Sequence, residues 1–237
     1  MSKSFLKAGW RKLVMANYAV DPSTLASHLP YKTEIDLWQG TCYVSLVGFM
    51  FVDTAVMGIK IPFHVNFEEV NLRFYVRYRD QGEWKRGVVF IKEIVPRAAL
   101  AFVANTLYNE NYETMPMRHV WDAQKDRLRV EYHWKKGGWH SVGVTTSSQS
   151  SPIVAGSEEE FITDHYWGYT KVRENKTSEY RVEHVAWEVY TTLDHSIAVD
   201  FGKVYGKGFD FLTQLKPQSV FLAEGSAIAV HHGKLIT

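Results

Sequence analysis

One stretch of this chain, NFEEVNLRFYVRY at positions 66–78, alternates between apolar and polar residues with almost no interruption. Successive side chains of an extended strand point to opposite faces. One face would carry the apolar and aromatic residues Val70, Leu72, Phe74, Val76 and Tyr78. The other would carry the polar row Glu69, Asn71, Arg73, Tyr75 and Arg77. The row is either the solvated face of a sheet or the lining of a pocket, and the pattern alone favours the solvated face.

Similar alternation, or a short apolar run, occurs in several other segments. Strands are predicted at 41–52, 87–95, 127–134, 140–146, 180–190, 197–205 and 218–231. Patterns of this kind are typical of a mainly antiparallel sheet. The serine- and threonine-rich residues 143–157 are predicted to form a surface loop.

Helices are predicted to be few and short. Asp21 and Pro22 supply the N-cap and first position of a helix that ends at Pro30. Pro96 opens a longer helical pattern, Ser157 to Glu160 forms a capping box, and residues 209–215 fit a fourth helix. With no internal repeat or linker, residues 1–237 are predicted to form a single α+β domain.

Composition and charge argue against several classes of protein. The net charge is +1, and 27 basic and 26 acidic residues are scattered along the chain, which gives no footprint for nucleic acid or an anionic membrane. The single cysteine, Cys42, rules out an intrachain disulfide. The longest apolar run, 42–52, is about half of the roughly 20 residues that a membrane helix needs. We therefore expect a soluble cytoplasmic protein.

The motifs of familiar cofactor and nucleophile chemistry do not occur. There is no nucleophile elbow, Walker loop or dinucleotide fingerprint, and the ten histidines include no helical metal-ligand pair. His133 and His140 flank a predicted hairpin, but polar surface histidines are the preferred interpretation. Neither a cofactor nor a metal is expected.

Five segments occur in an order that resembles a known group. They are WRKLVMANYAVDPSTLASHLP, YVSLVGFMF, NFEEVNLRFYV, GVVFIKEIVPRAA and LAEGSAIAV. Together they resemble the YqjF-like family of uncharacterised proteins, which is similar in fold to the acetoacetate decarboxylase superfamily. This resemblance implies a curled, largely antiparallel sheet or β-barrel, with a few short helices, around a small polar cavity.

The resemblance also implies candidate residues. Acetoacetate decarboxylases form a Schiff base through a lysine whose pKa is lowered by an adjacent lysine. An arginine and sheet glutamates complete their pocket, and these positions fall on Arg11 and Glu69 here, with a further glutamate position near Ser45. The lysine pair would fall around 109–111, yet no lysine occurs between Lys92 and Lys125. Schiff-base decarboxylation is therefore not expected.

With a curled sheet, the polar row becomes a predicted pocket lining. The candidate catalytic residues are Glu69 and Glu110. The candidate substrate-binding residues are Arg11, Asn71, Arg73, Tyr108, Tyr112 and His165. Ordinary packing is the alternative for the loop residues Tyr108, Glu110 and Tyr112, and it is slightly preferred for His165.

Two functional hypotheses remain open. In the first, an enzyme acts on a small organic acid, with Arg11 holding a carboxylate and Glu69 serving as general acid or base. In the second, a binding or sensing protein keeps the scaffold without the catalyst. Both predict a small-molecule ligand, and the need to cover strand edges also predicts a homo-oligomer. A structural protein with no cavity is the least favoured alternative.

Overall fold

The computed structural model describes residues 4–97 and 111–237, which form one mixed sheet with few helices. Its strands are β1 (Leu6–Val20), β2 (Thr33–Ile35), β3 (Cys42–Val56), β4 (Phe67–Asp80), β5 (Glu83–Val95), β6 (Tyr112–Thr114), β7 (Met117–Ala123), β8 (Arg127–Lys135), β9 (Trp139–Pro152), β10 (Trp167–Arg173), β11 (Lys176–His184), β12 (Glu188–Ala198), β13 (Ser219–Ala223), β14 (Ala227–Val230) and β15 (Lys234–Ile236). The helices are α1 (Glu158–Thr163), α2 (Phe201–Tyr205) and the 3₁₀ helices Pro22–His28 and Lys207–Thr213. None of the described helices is long and apolar enough to cross a membrane.

Part of the sheet closes on itself. The order β14-β11-β10-β5-β4-β3-β1 is hydrogen-bonded from neighbour to neighbour, and β14 also pairs with β1. Val230 of β14 lies opposite both Leu6 of β1 and Val182 of β11. All these pairings are antiparallel except that of β5 with β10. These strands therefore form a closed ring, and the prediction of a curled, largely antiparallel sheet in an α+β fold is confirmed.

The ring has apolar clusters on both of its faces. One contains Val14, Leu46 and Leu72 of the ring together with Tyr132 and Trp134 of β8, because β13, β12, β9, β8 and β7 continue the sheet beyond β1 and cover this outer face. The other cluster lies on the opposite face. It includes Leu13, Phe49, Tyr75 and Val182 of the ring and Phe161 and Ile162 of α1. Both faces of β4 are consequently buried.

Two of the predicted helix starts agree with the structure. The Asp21 carboxylate accepts a hydrogen bond from the Ser23 amide at 2.8 Å, and a 3₁₀ helix follows. The Ser157 hydroxyl accepts from the Glu160 amide at 3.2 Å and begins α1. Glu160 reaches back to the Gly156 amide, one residue further than a capping box would predict.

Several predicted boundaries were wrong because tertiary pairing overrode local composition. Residues 143–157 are not simply a loop, since β9 continues to Pro152 and pairs Ser151 with Val189 of β12. Residues 197–205 are not one strand, because Asp200 caps α2 with its carboxylate on the Lys203 amide. The strands predicted at 180–190 and 218–231 are each two strands. Most of the helix predicted from Pro96 lies outside the described residues, and the single-domain organisation stays a prediction.

Candidate functional site

A cavity of about 190 Å³ lies inside the ring. Every strand of the ring contributes to its wall, and residues next to and within α1 complete it. The walls are mainly apolar, with a group of aromatic side chains that includes Trp10, Phe49, Phe51, Phe67, Phe90 and Trp187. Polar groups in such surroundings lose most of their hydration, so each must find another partner.

The polar row on β4 supplies much of the cavity's polar lining. Glu69, Asn71 and Arg73 all line it, and they are only 2%, 1% and 7% exposed. Tyr75 lies buried on the same strand face, whereas Arg77 reaches the surface and donates to Glu34 at 2.6 Å. The row therefore begins in the cavity and ends in solvent.

Glu69 is a buried carboxyl group held by two donors. The Asn71 amide nitrogen donates to its Oε1 at 3.0 Å, and the Tyr112 hydroxyl donates to its Oε2 at 3.3 Å. Burial raises the pKa of Glu69 to about 7, although both hydrogen bonds and the charge of Arg73 favour the ionised form. Near neutral pH this group can therefore gain or lose a proton.

Tyr112 is placed by the short strand β6, which pairs in parallel with β5 so that Tyr112 lies opposite Glu93. Glu93 is buried and also lines the cavity. Burial, followed by the charges of Glu69 and Glu93, raises the pKa of Tyr112 well above its ordinary value. The phenol therefore stays protonated and acts as a hydrogen-bond donor.

Arg73 brings a positive charge into the same cavity. Its Nη2 contacts the Ile162 carbonyl of α1 at 3.5 Å, which is a long hydrogen bond. Among the described residues, neither Arg73 Nε nor Asn71 Oδ1 has a hydrogen-bond partner, although both atoms are buried. The polar lining thus has unused hydrogen-bonding capacity.

His165 follows α1 and lies between aromatic rings. Its ring centroid is 4.7 Å from that of Tyr75 and 5.2 Å from that of Phe161. Its Nε2 is 3.3 Å from Asp36 Oδ2, which also accepts from Arg86 Nε at 2.7 Å. Burial lowers the pKa of His165 to about 4, against the opposing effect of Asp36, so the imidazole is neutral at pH 7. We call Glu69, Asn71, Arg73, Tyr112 and His165 the cavity cluster.

A second set of polar side chains forms a series of hydrogen bonds that runs across the sheet from Tyr75. Ser45 lies 2.7 Å from the Tyr75 hydroxyl and donates to Asn17 Oδ1 at 2.6 Å. Asn17 Nδ2 donates to Ser219 Oγ at 2.9 Å, and Ser219 donates to Glu158 at the start of α1. We call these five residues the closed polar chain, because each side chain meets the next. Ser45 stands near the position that the resemblance assigned to a second glutamate.

Arg11 does not line the cavity, contrary to the expectation that it would face Glu69 there. The reason is a β-bulge at Lys12, whose φ is +54°, between the pairings Arg11–Met50 and Val14–Gly48. The bulge places Trp10 and Leu13 on the cavity wall. The Arg11 guanidinium instead donates to the Trp10 carbonyl at 2.9 Å.

The other predicted site residues have different outcomes. Asn71, Arg73, Tyr112 and His165 line the cavity with Glu69, whereas Tyr108 and Glu110 lie outside the described residues. Asp36 and Glu93 were missed. The sequence did contain a signal for Glu93, because this single acidic residue lies at the end of the otherwise mainly apolar strand predicted at 87–95. The sequence contained no signal for Asp36, because its partner His165 is 129 residues away in the chain.

No lysine is among the described residues that line the cavity, and residues 98–110 contain none in the sequence. Lys92 of β5 is bonded elsewhere, to Glu113 and the Val204 carbonyl, each at 2.7 Å. The described residues also include no cluster of three or more histidine, cysteine or acidic side chains arranged to hold a metal ion.

Comparison of the fold with solved structures finds several of similar architecture. Acetoacetate decarboxylase from Legionella pneumophila subsp. pneumophila str. Philadelphia 1 matches with a TM-score of 0.67 and 12% identity, over 100% of this chain and 88% of that one. The enduracididine biosynthesis enzyme MppR, complexed with pyruvate, matches with a TM-score of 0.67 and 15% identity, over 100% of this chain and 91% of its own. An acetoacetate decarboxylase-like enzyme from Sphingomonas wittichii RW1 matches with a TM-score of 0.65 and 10% identity, over 99% and 94% of the two chains. At these identities the matches establish a shared fold.

Sequence comparison points to a family. The uncharacterized protein YqjF of Bacillus subtilis (strain 168) is 24% identical over 187 residues, which cover 77% of this chain and 74% of YqjF. The profile of the DUF2071 family matches residues 7–227. Because that match spans nearly the whole chain, the protein belongs to the DUF2071 family of uncharacterized conserved proteins.

Proposed function

We propose that the protein binds a small organic acid in the cavity and that Glu69 acts on it as general acid or base. The observation that carries this proposal is a buried carboxyl group, hydrogen-bonded by Asn71 and Tyr112, on the same cavity wall as the cation Arg73. Arg73 takes the carboxylate-binding role that the family resemblance implied for Arg11.

An acidic ligand is favoured by the state of Arg73. A guanidinium keeps its charge in proteins, and in apolar surroundings it gains much from an anionic partner. The Ile162 carbonyl is a weak neutral acceptor at 3.5 Å, and Nε has no acceptor among the described residues. A carboxylate would supply charge and hydrogen-bond acceptors together.

The acid–base role follows from the pKa of Glu69. A general acid or base works best when its pKa lies close to the working pH, and burial raises that of Glu69 to about 7. Proton transfer beside a carbonyl, hydration, or decarboxylation without an imine would all use such a group. The scaffold adds support, since fold neighbours include an acetoacetate decarboxylase and MppR complexed with pyruvate.

A second candidate is a binding or sensing protein without turnover. It is favoured by the lack of a lysine among the described cavity residues and in residues 98–110, because an imine cannot form without an amine. This candidate uses the same cavity and the same Arg73. The two candidates differ only in whether product forms.

The test is a panel of short α-keto, β-keto and α-hydroxy carboxylates, followed by thermal shift for binding and by mass spectrometry for product. Wild-type protein should be stabilised by at least one acid, and Arg73→Gln should weaken that binding by about tenfold or more. Arg77→Gln is the matched control, because Arg77 lies on the same strand but pairs with Glu34 in solvent. Equal losses in both variants, or no binding by any acid, would refute the proposal.

Glu69→Gln separates the two candidates. If the protein is an enzyme, this variant should keep binding and lose most product formation, since an amide cannot exchange a proton as a carboxyl group does. Binding by the wild-type protein without product across the panel would favour the sensor. Unchanged turnover in Glu69→Gln would remove Glu69 from the mechanism.

A further inference from the structure

The cavity carries a histidine whose protonation can be assigned from its neighbours. Burial alone would raise the pKa of Asp36, but the hydrogen bonds with His165 and Arg86 outweigh it and hold the pKa below its ordinary value. An ionised carboxylate can only accept hydrogen bonds, so the imidazole nitrogen facing it must carry the hydrogen. In neutral His165, Nε2 is therefore the donor and Nδ1 keeps a lone pair.

That lone pair has no donor within the described part of the protein. His165 Nδ1 is buried and without a hydrogen-bond partner there, and the residue as a whole is 7% exposed. The Tyr75 and Phe161 rings pack against the imidazole, and Asp36 holds its opposite edge. His165 is thus held in a fixed orientation on the cavity wall, and a hydrogen-bond donor on a ligand would satisfy this nitrogen.

Arg73 links this acceptor to the carboxylate position. Its Cζ lies 5.6 Å from the centroid of the Tyr75 ring, and that centroid is 4.7 Å from the centroid of His165. Arg73, Glu69 and His165 all line the same cavity. Asn71 Oδ1 on the same strand face is a second acceptor that lacks a described donor. A ligand held by Arg73 therefore meets acceptors that can pair only with hydrogen-bond donors.

The rest of the wall defines the other part of the ligand. Aromatic and aliphatic side chains, among them Trp10, Phe49, Phe51, Phe90 and Val182, make up most of the lining. Covering such a wall with apolar ligand atoms is favourable, because it removes apolar surface from water. A ligand that is only a short charged acid would leave this surface unused.

From these contacts we infer that the cavity selects α-hydroxy acids with an apolar body, through a hydroxyl group that donates to His165 Nδ1 while the carboxylate binds Arg73. The inference rests on the proposed function, because it deepens the ligand class of the same cavity. His165 acts here as a specificity-determining residue. A site that bonds a hydroxyl group discriminates strongly against the analogue that lacks it, since its own polar atom is then left unpaired.

Three acids of the same carbon skeleton provide the test: α-hydroxyisocaproate, α-ketoisocaproate and isocaproate. Calorimetry with the wild-type protein should rank the hydroxy acid first, about tenfold tighter than isocaproate. The keto acid has no donor at that position and should not share the advantage. Lactate, which has the hydroxyl group without the apolar body, should bind more weakly than α-hydroxyisocaproate.

The decisive variant is His165→Phe, which keeps a ring of similar shape and leaves Asp36 paired with Arg86. It should bind isocaproate as the wild-type protein does and lose the roughly tenfold preference for the hydroxy acid. His140→Phe is the matched control, because His140 is also buried but is not among the described residues that line the cavity, and its Nδ1 accepts from the Asp200 amide at 3.3 Å. That control should keep the preference.

The outcomes distinguish a failure of this inference from a failure of the proposed function. Equal affinities for the hydroxy acid and isocaproate, with binding that still depends on Arg73, would overturn this inference and leave the proposed function standing. Loss of all acid binding would overturn both. If His165→Phe does not fold, nitrogen NMR of the wild-type histidines decides, because the inference requires hydrogen on Nε2 and a change at Nδ1 of His165 when α-hydroxyisocaproate binds.

Discussion

The closed polar chain and the cavity cluster lie on the same buried side of the sheet, yet they differ in how their polar atoms are paired. Each side chain from Tyr75 through Ser45, Asn17 and Ser219 to Glu158 bonds the next. In the cavity cluster, Asn71 Oδ1, Arg73 Nε and His165 Nδ1 have no partner among the described residues.

This difference separates structural polarity from polarity that awaits a ligand. A buried hydrogen bond adds only about 1 kcal/mol, but a buried polar atom without a partner costs about 1–3 kcal/mol. The closed polar chain avoids that cost within the protein. Three atoms of the cavity cluster have no such partner among the described residues, so the two regions should respond differently to mutation.

The largest effect is expected from Tyr75→Ala, which removes a fully buried ring where the two regions meet. Tyr75 packs against His165 and Phe161 and bonds Ser45. The free energy of unfolding should fall by about 3–5 kcal/mol, as for other large-to-small changes of aromatic residues. Tyr75→Phe, which loses only the hydroxyl group, should lose about 1 kcal/mol in urea denaturation. Similar losses of unfolding free energy in both variants would show that packing of the ring is not the main contribution of Tyr75 to stability.

Glu69→Gln should change the pH dependence of stability. A carboxyl group whose pKa rises on folding, here from 4.5 to about 7, contributes stability that is fully present below pH 4.5 and is lost as pH rises to about 7. The variant lacks this loss, so it should be more stable than the wild-type protein by roughly 3 kcal/mol at pH 8 and similar at pH 4. Urea titrations at both pH values measure the difference. A stability difference between variant and wild type that is the same at pH 4 and pH 8 would contradict a raised pKa for Glu69.

His165→Phe should remove a pH dependence of opposite sign. The pKa of His165 falls on folding from 6.5 to about 4, so its contribution is fully present above pH 6.5 and is lost as pH falls to about 4. Relative to the wild-type protein, the variant should gain about 3 kcal/mol between pH 7 and pH 4, and the lost Asp36 bond only adds an offset that is the same at both pH values. Unfolding curves across this range test it, and parallel curves for the two proteins would count against a buried neutral imidazole.

The smallest and most direct contrast uses two buried asparagines. Asn17→Ala leaves Ser45 and Ser219 each short of a partner and should cost about 2 kcal/mol. Asn71→Ala loses one bond to Glu69 while removing an oxygen that has no described partner, so it should cost under about 1 kcal/mol. Chemical denaturation at pH 5 compares them with little ionised Glu69 present. Equal costs would erase the distinction between the regions.

Much of the fold could be predicted from local patterns. The alternation at 66–78 predicted β4 and the identity of its polar row, and Asp21 and Ser157 predicted helix starts that the structure contains. These features depend on residues close together in sequence. Residues 143–157 were misassigned because their serines and threonines resemble a loop, while pairing with β12 holds most of them in a strand.

The cavity could be predicted only in part. The position of Glu69 followed from a resemblance, but the pattern could not show which face of β4 would be dry. Arg11 was placed incorrectly because a one-residue bulge at Lys12 changes which side chains face inward. The hydrogen bond between Asp36 and His165 could not be predicted from the residues next to either of them in the sequence.

By itself, the sequence determined the strand periodicity, the helix caps and the lack of a lysine between Lys92 and Lys125. Only the tertiary structure decided that the polar row of β4 would begin in a cavity, because β14 pairs with both β1 and β11 and closes the ring. Periodicity is a property of neighbouring residues, whereas burial depends on hydrogen bonds between strands far apart in the chain. The same alternating strand would be half solvated in an open sheet.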